Sequence, residues 1–192
     1  MDLATHQRKL LGLFRSTYYP SGADDAYIHS VAQSRDLEEG RRNIFLWRTW
    51  VLERTCALTV RLLRRRNLFA VTLAAFIQGN NISPFRETQA LGFLEALTDH
   101  SDRLIRSVAQ FELALLKVRQ GDAATYVIPW NLDPYTILSS LANDTPLDDH
   151  VSEGVYEIVV SPNLPHQFQI SPVANDLPPR GKDQKISDVH LL

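Results

Sequence analysis

An α+β fold is expected from this chain: an all-helical domain over residues 1–98, then a smaller domain over 99–171 combining one long helix with a small antiparallel sheet. Three features of the sequence carry that expectation. Apolar residues in the first half recur at helical spacing, with no strand-like alternation. Only Pro20 and Pro84 precede residue 129, whereas the other eight of the ten prolines lie at Pro129 and beyond. Finally, Val155 to Val160 is a run of β-branched and aromatic residues set between Gly154 and Pro162, which reads as a strand. From 172 to 192 the chain is polar and Pro-rich, the composition of a flexible tail.

The first helix is expected from Leu3 to Ser16, with Asp2 as its cap and Leu3, Gln7, Leu10, Leu11 and Phe14 on one face. A loop through Tyr19-Pro20-Ser21-Gly22 follows, then a weaker helix between Asp24 and Glu39. Arg41 to Arg66 holds no Gly or Pro and reads as a long helix that buries much of its surface. A further helix covers Leu68 to Gln78 and ends at Gly79-Asn80-Asn81. Ser83-Pro84, a cap followed by Pro at the first helical position, opens the next one, which reaches Thr98.

Ser101 to Gln120 is the best-defined helix. Ser101 caps it, Asp102 lies in the first turn, Lys117 and Arg119 lie in the last, and Gly121 follows the end. Leu104, Val108, Phe111, Leu115 and Val118 form its apolar seam, with Glu112 beside it. Thr125 to Ile128 reads as a short strand stopped by Pro129, and Asp133-Pro134 as the start of a short helix through Leu141. Gln167 to Ile170 alternates polar and apolar residues and is expected to pair with Val155–Val160 across the intervening turn.

Composition narrows the function. The chain has 192 residues, 44% hydrophobic and 22% charged, and is long enough to bury about two thirds of its unfolded surface. Its net charge of −2 divides into +4 over residues 1–98 and −6 over 99–192. That asymmetry suits steering of a specific partner better than coating nucleic acid. The lone Cys56 excludes an internal disulfide and lies in an apolar run, so it is expected to be a buried thiol. No stretch of about 18 uncharged apolar residues exists, which excludes a membrane helix, and the basic start of a secretory signal is missing. A cytoplasmic location is therefore expected.

No catalytic motif stands out. The six histidines never fall three or four apart, the spacing that places two imidazoles on one helix face for a metal. Asp148-Asp149-His150 is a local acid–imidazole cluster in a loop. Glu112, His150 and His166 are the only acid–base groups worth naming for an enzymatic reading, and a structural partner for Glu112 is the simpler expectation.

Two features suit binding instead. Arg54, Arg61 and Arg65 share one face of a continuous helix, a possible surface for docking a partner or peptide. The alternative is a nucleic-acid-binding regulator using the Arg41–Arg66 helix. The second feature is Val155, Tyr156, Glu157, Ile158, Val159 and Val160. In a sheet of two or three strands this segment is expected to offer an open edge, to which an extended peptide adds as another strand.

The order of elements resembles the HvfC/BufC-type proteins, partner subunits of multinuclear non-haem iron oxidases that modify ribosomally made peptides. The matching stretches are His6 to Phe14, Arg41 through Ile77, Ser107 to Leu115, Asp133 to Leu138 and Tyr156 through Pro165. Where that family has an aromatic-Pro pair and a Gly-Glu, this chain has Ala57-Leu58-Thr59 and Arg65-Arg66-Asn67, which points to a specialised branch. The resemblance implies a non-catalytic subunit in a heterodimer with the oxidase. It would hold the leader of a carrier peptide and contribute no cofactor of its own. Iron would sit in the oxidase, which excises the β-carbon of the peptide's C-terminal cysteine, as in a 3-thiaglutamate pathway. Neither nucleic acid nor a membrane is implied as a partner.

Overall fold

The computed structural model describes residues 2–79, 85–147 and 151–173. Residues 174–192 of the tail expected over 172–192, the Asp148-Asp149-His150 cluster and the Ser83-Pro84 helix start lie outside them. The described chain is α+β, with helices α1 (Leu3–Phe14), α2 (Ala26–Ala32), α3 (Arg35–Thr55), α4 (Ala57–Arg65), α5 (Phe69–Gly79), α6 (Arg86–Leu97), α7 (Arg103–Arg119) and α8 (Pro134–Ala142). Strands β1 (Tyr126–Leu132), β2 (Glu153–Val160) and β3 (Phe168–Pro172) complete it.

Helix caps decide where several elements begin. Asp2 caps α1 by accepting from Ala4 N, as expected. The segment from Asp24 to Glu39 is not one weak helix. Asp25 caps the short α2, and Ser34 accepts from Leu37 N to start α3 six residues before Arg41. Asp102, not Ser101, caps α7, with its carboxylate accepting from the amides of Leu104 at 2.9 Å and Ile105 at 3.2 Å. An ionised cap also complements the positive end of the helix dipole. Gly121 follows α7 at φ +96°, the left-handed conformation that glycine adopts without strain.

The long arginine-rich run is two helices. At Cys56 the backbone turns to φ −130° and ψ 47°, which ends α3 and starts α4. A break inside an apolar stretch strands the first amides of α4, and no side chain of Cys56 caps them. Glu112 supplies the acceptor from α7 instead, bonding Leu58 N at 2.8 Å and Thr59 N at 2.7 Å. Burial pushes its carboxyl above the ordinary range, opposed by the hydrogen bonds it accepts. Cys56 is buried, and its thiol is pushed well up by that burial and by the neighbouring Glu112 charge.

Packing places α7 at the centre. Ile105, Val108, Phe111, Leu115 and Val118 are all buried, and α7 packs against α4, α6 and the inner face of the sheet. Phe111 meets Trp130 of β1 and Phe168 of β3 edge-on, with ring centroids 6.4 and 5.3 Å apart. One buried cluster runs from Leu52 on α3 through Phe93 on α6 to Val160 on β2, so the core does not divide at the expected boundary of 98/99. A satellite cluster of Leu13, Ile28 and Leu37 seats α1 and α2 on α3. Arg41 ties it down by donating to the Leu13 carbonyl near the end of α1.

The sheet is antiparallel in the order β1-β2-β3. Along β1, Ile128 and Trp130 are buried whereas Val127, Pro129 and Asn131 are exposed. The strand continues through Pro129 instead of stopping there, and its lateral position explains why. An edge strand needs bonds on one side only, so a proline can direct its missing N–H outward.

Candidate peptide-binding groove

The topology corrects the expected binding edge. Val155, Tyr156, Glu157, Ile158, Val159 and Val160 form the middle strand, paired to β1 on one side and β3 on the other. Their ladder groups are engaged within the sheet. The most strand-prone segment is central because Ile158 and Val160 fill the core while their neighbours pair in both directions. Open margins therefore belong to β1 and β3.

The β1 margin is the better formed. Ser107 of α7 donates its hydroxyl to the Pro129 carbonyl at 3.3 Å, so that carbonyl points away from β2. Strand alternation then turns the amide and carbonyl of Val127 to the same side. Beside this margin lies an open groove of about 620 Å³, floored by Leu113, Ala114 and Ile128. Its far wall is α7, presenting Arg103, Arg106, Ser107 and Gln110. Arg106 and Gln110 are positioned by bonds to the carbonyls of His100 and Thr98, at 3.4 and 3.3 Å. Arg103 is exposed and makes no ion pair among the described residues.

The start of β1 is pinned by Tyr126, whose hydroxyl donates to Asp122 at 2.5 Å. That bond, with the Ala124 amide, holds the Asp122 carboxyl below its ordinary range and raises the Tyr126 hydroxyl. The β3 margin is more closed. Tyr135 of α8 donates to the Ile170 carbonyl at 3.4 Å, on the side facing away from β2. A groove walled by cations beside an open strand can hold an extended, acidic peptide through main-chain bonds and charge together.

No family model, curated protein or solved structure matches this chain.

The expected arginine face is also corrected. Arg54 lies on α3 and Arg61 and Arg65 on α4, so the break at Cys56 ends the continuous helical face on which their spacing was read. Arg61 donates to the carbonyls of Leu141 and Ala142, both at 2.7 Å, and Arg65 donates to Ser140. Both guanidiniums thus cap the end of α8. Arg64 pairs with Glu53 and Arg66 with Asp102. Most of the Arg41–Arg66 stretch is therefore tied into the fold rather than displayed as one basic face, which gives the nucleic-acid reading no structural support.

The acid–base candidates do not meet. Glu112 is buried beneath α4, whereas His166 is exposed in the tight β2–β3 connection at φ 58°. His150 lies outside the described residues. Among those residues, no three His, Cys, Asp or Glu side chains gather as metal ligands. No described helix is long and apolar enough to cross a membrane.

What the sequence reading missed is β1 with the first turns of α7. Pro129 was the available signal: read as a strand terminator, it marks instead an outward margin.

Proposed function

We propose that this chain is the peptide-recognition subunit of a heteromeric iron oxidase acting on a ribosomally made peptide. It takes the peptide's leader as a further strand on β1, along the margin at Val127 and beside the Ser107–Pro129 contact that ties β1 to α7. The partner oxidase holds the iron and performs the oxidation, excision of the β-carbon from the peptide's C-terminal cysteine. This chain contributes no ligand to that metal.

The observation that supports the reading is the groove. Val127 offers an outward amide and carbonyl, the neighbouring Pro129 carbonyl is held by Ser107, and Arg103 and Arg106 supply positive charge nearby. The resemblance in element order to the HvfC/BufC-type subunits adds the oxidase and the leader. Holding a leader raises the effective concentration of the reacting end at the oxidase, on the order of millimolar for a short flexible connection.

Two experiments test it. Co-expression with the candidate oxidase, followed by size-exclusion chromatography with and without the carrier peptide, should give a heterodimer that retains the peptide. Val127→Pro removes one outward donor and no bond to β2. It should weaken leader binding about tenfold while leaving the melting temperature within a few degrees. Undiminished binding by a folded Val127→Pro variant would overturn strand addition on β1.

A further inference from the structure

A second cationic site lies at the opposite end of α7. Arg54, Arg61 and Arg119 line a cavity of about 120 Å³, with Ala57, Leu58, Leu115 and Ala142 among its apolar walls. The three guanidiniums come from α3, α4 and α7, so the fold gathers charges that are far apart in sequence. Arg54 and Arg119 are exposed, and neither pairs with a carboxylate among the described residues. Arg61 bonds only uncharged carbonyls. The single acid on the cavity wall, Glu112, is occupied by the amides of Leu58 and Thr59. Burial raises its carboxyl while the amides and Arg61 oppose that shift, and three guanidiniums outnumber one carboxylate in either form. The cavity therefore has unbalanced positive charge.

Its surroundings indicate the source of the missing anion. The Arg54 guanidinium lies 4.6 Å over the Trp50 ring, and Arg86 lies 4.4 Å over the same ring. Trp47 stacks on Trp50 at 5.1 Å and is itself 47% exposed. A free small anion would make no use of an exposed aromatic pair beside the cavity. A polypeptide would use both, placing a carboxylate among the arginines and its flanking apolar atoms on Trp47.

We infer that Arg54, Arg61 and Arg119 form a docking site for an acidic side chain of a protein partner, with Trp47 and Trp50 as the adjoining contact surface. This site is separate from the strand groove. Arg103 and Arg119 are sixteen residues apart on α7, roughly 24 Å along the helix axis. The inference accordingly stands whether or not a leader adds to β1.

The test uses the full chain, hexaglutamate and inorganic phosphate as probes, and the Nε–H resonances of arginine as the readout. Hexaglutamate should shift Arg54 and Arg119, and Arg54→Gln with Arg119→Gln should weaken its binding about tenfold or more. The melting temperature should fall by no more than a few degrees, because both side chains are exposed and only the Arg54–Trp50 contact is lost. Arg42→Gln, an exposed arginine away from the cavity, should leave affinity as it was. Equal hexaglutamate binding by the double variant would overturn the inference. Phosphate binding as tightly as hexaglutamate at equal ionic strength would also overturn it, by assigning the cavity to a free anion.

Discussion

Glu112 of α7 accepts the amide proton of Thr59, the third residue of α4, at 2.7 Å. With the matching bond from Leu58, one carboxyl caps a helix that its own flanking residue leaves uncapped. Because this contact closes the break at Cys56, it also fixes where Arg54 and Arg61 fall relative to each other.

Removing the acceptor leaves two buried amides unsatisfied. Glu112→Ala should therefore destabilise the chain by about 2–4 kcal/mol in urea denaturation. Glu112→Gln, which keeps one acceptor, should cost less. The pH dependence follows from the direction of the shift. A carboxyl whose folded pKa is raised contributes most below its unfolded pKa and loses that contribution as pH climbs toward the folded value. The native chain's advantage over Glu112→Gln should accordingly shrink as pH rises above about 4.

Arg61 holds the last turn of α8 through two carbonyls at 2.7 Å. Arg61→Ala should cost about 2 kcal/mol and speed amide exchange in the last turn of α8. Added salt should not reproduce the loss, since neither acceptor is charged.

The connection from α1 to α2 carries an acid-labile tie. Asp24 accepts from Lys9 at 2.5 Å and from the Tyr18 hydroxyl at 2.6 Å, and these bonds hold its carboxyl far below the ordinary range. A depressed folded pKa gives stability that is present above about pH 4 and lost as pH falls through the folded value. Asp24→Asn should thus lower the melting temperature at pH 7. The gap to the native chain should close on acidification, in a pair of thermal melts at each pH.

Gly40 sits in the second turn of α3, where alanine would ordinarily favour the helix by about 1 kcal/mol. Here an added Cβ would lie 2.6 Å from the Phe14 ring of α1. Gly40→Ala should produce a net loss of about 1 kcal/mol, measured by denaturation, because Phe14 must leave its packing on the Leu13–Ile28–Leu37 cluster.

How much of this could be read from the residues alone differs by element. Asp2, Asp133 and Gly121 carry local capping chemistry, and the ends they mark agree with expectation. The seam from Val108 to Val118 likewise announces a buried helix. The break at Cys56 had no local signal, since its compensating acceptor lies more than fifty residues away on α7. Strand order was equally hidden: Val155–Val160 reads as a strand, but which neighbours flank it is decided by chain connectivity and the core. The candidate groove was missed for that reason, because its backbone comes from β1 and its charges from α7. Arg54 and Arg61 do line one cavity, though through a bend that joins them to Arg119 and not through a shared helical face.

Hydrogen exchange on individual amides offers the sharpest check of strand addition. With the carrier peptide's leader bound, the Val127 amide should exchange about tenfold or more slowly, while β2 amides, already paired in the free chain, should change little. Protection appearing along β3 instead, or an unaltered Val127 in a saturated complex, would contradict a peptide strand on β1.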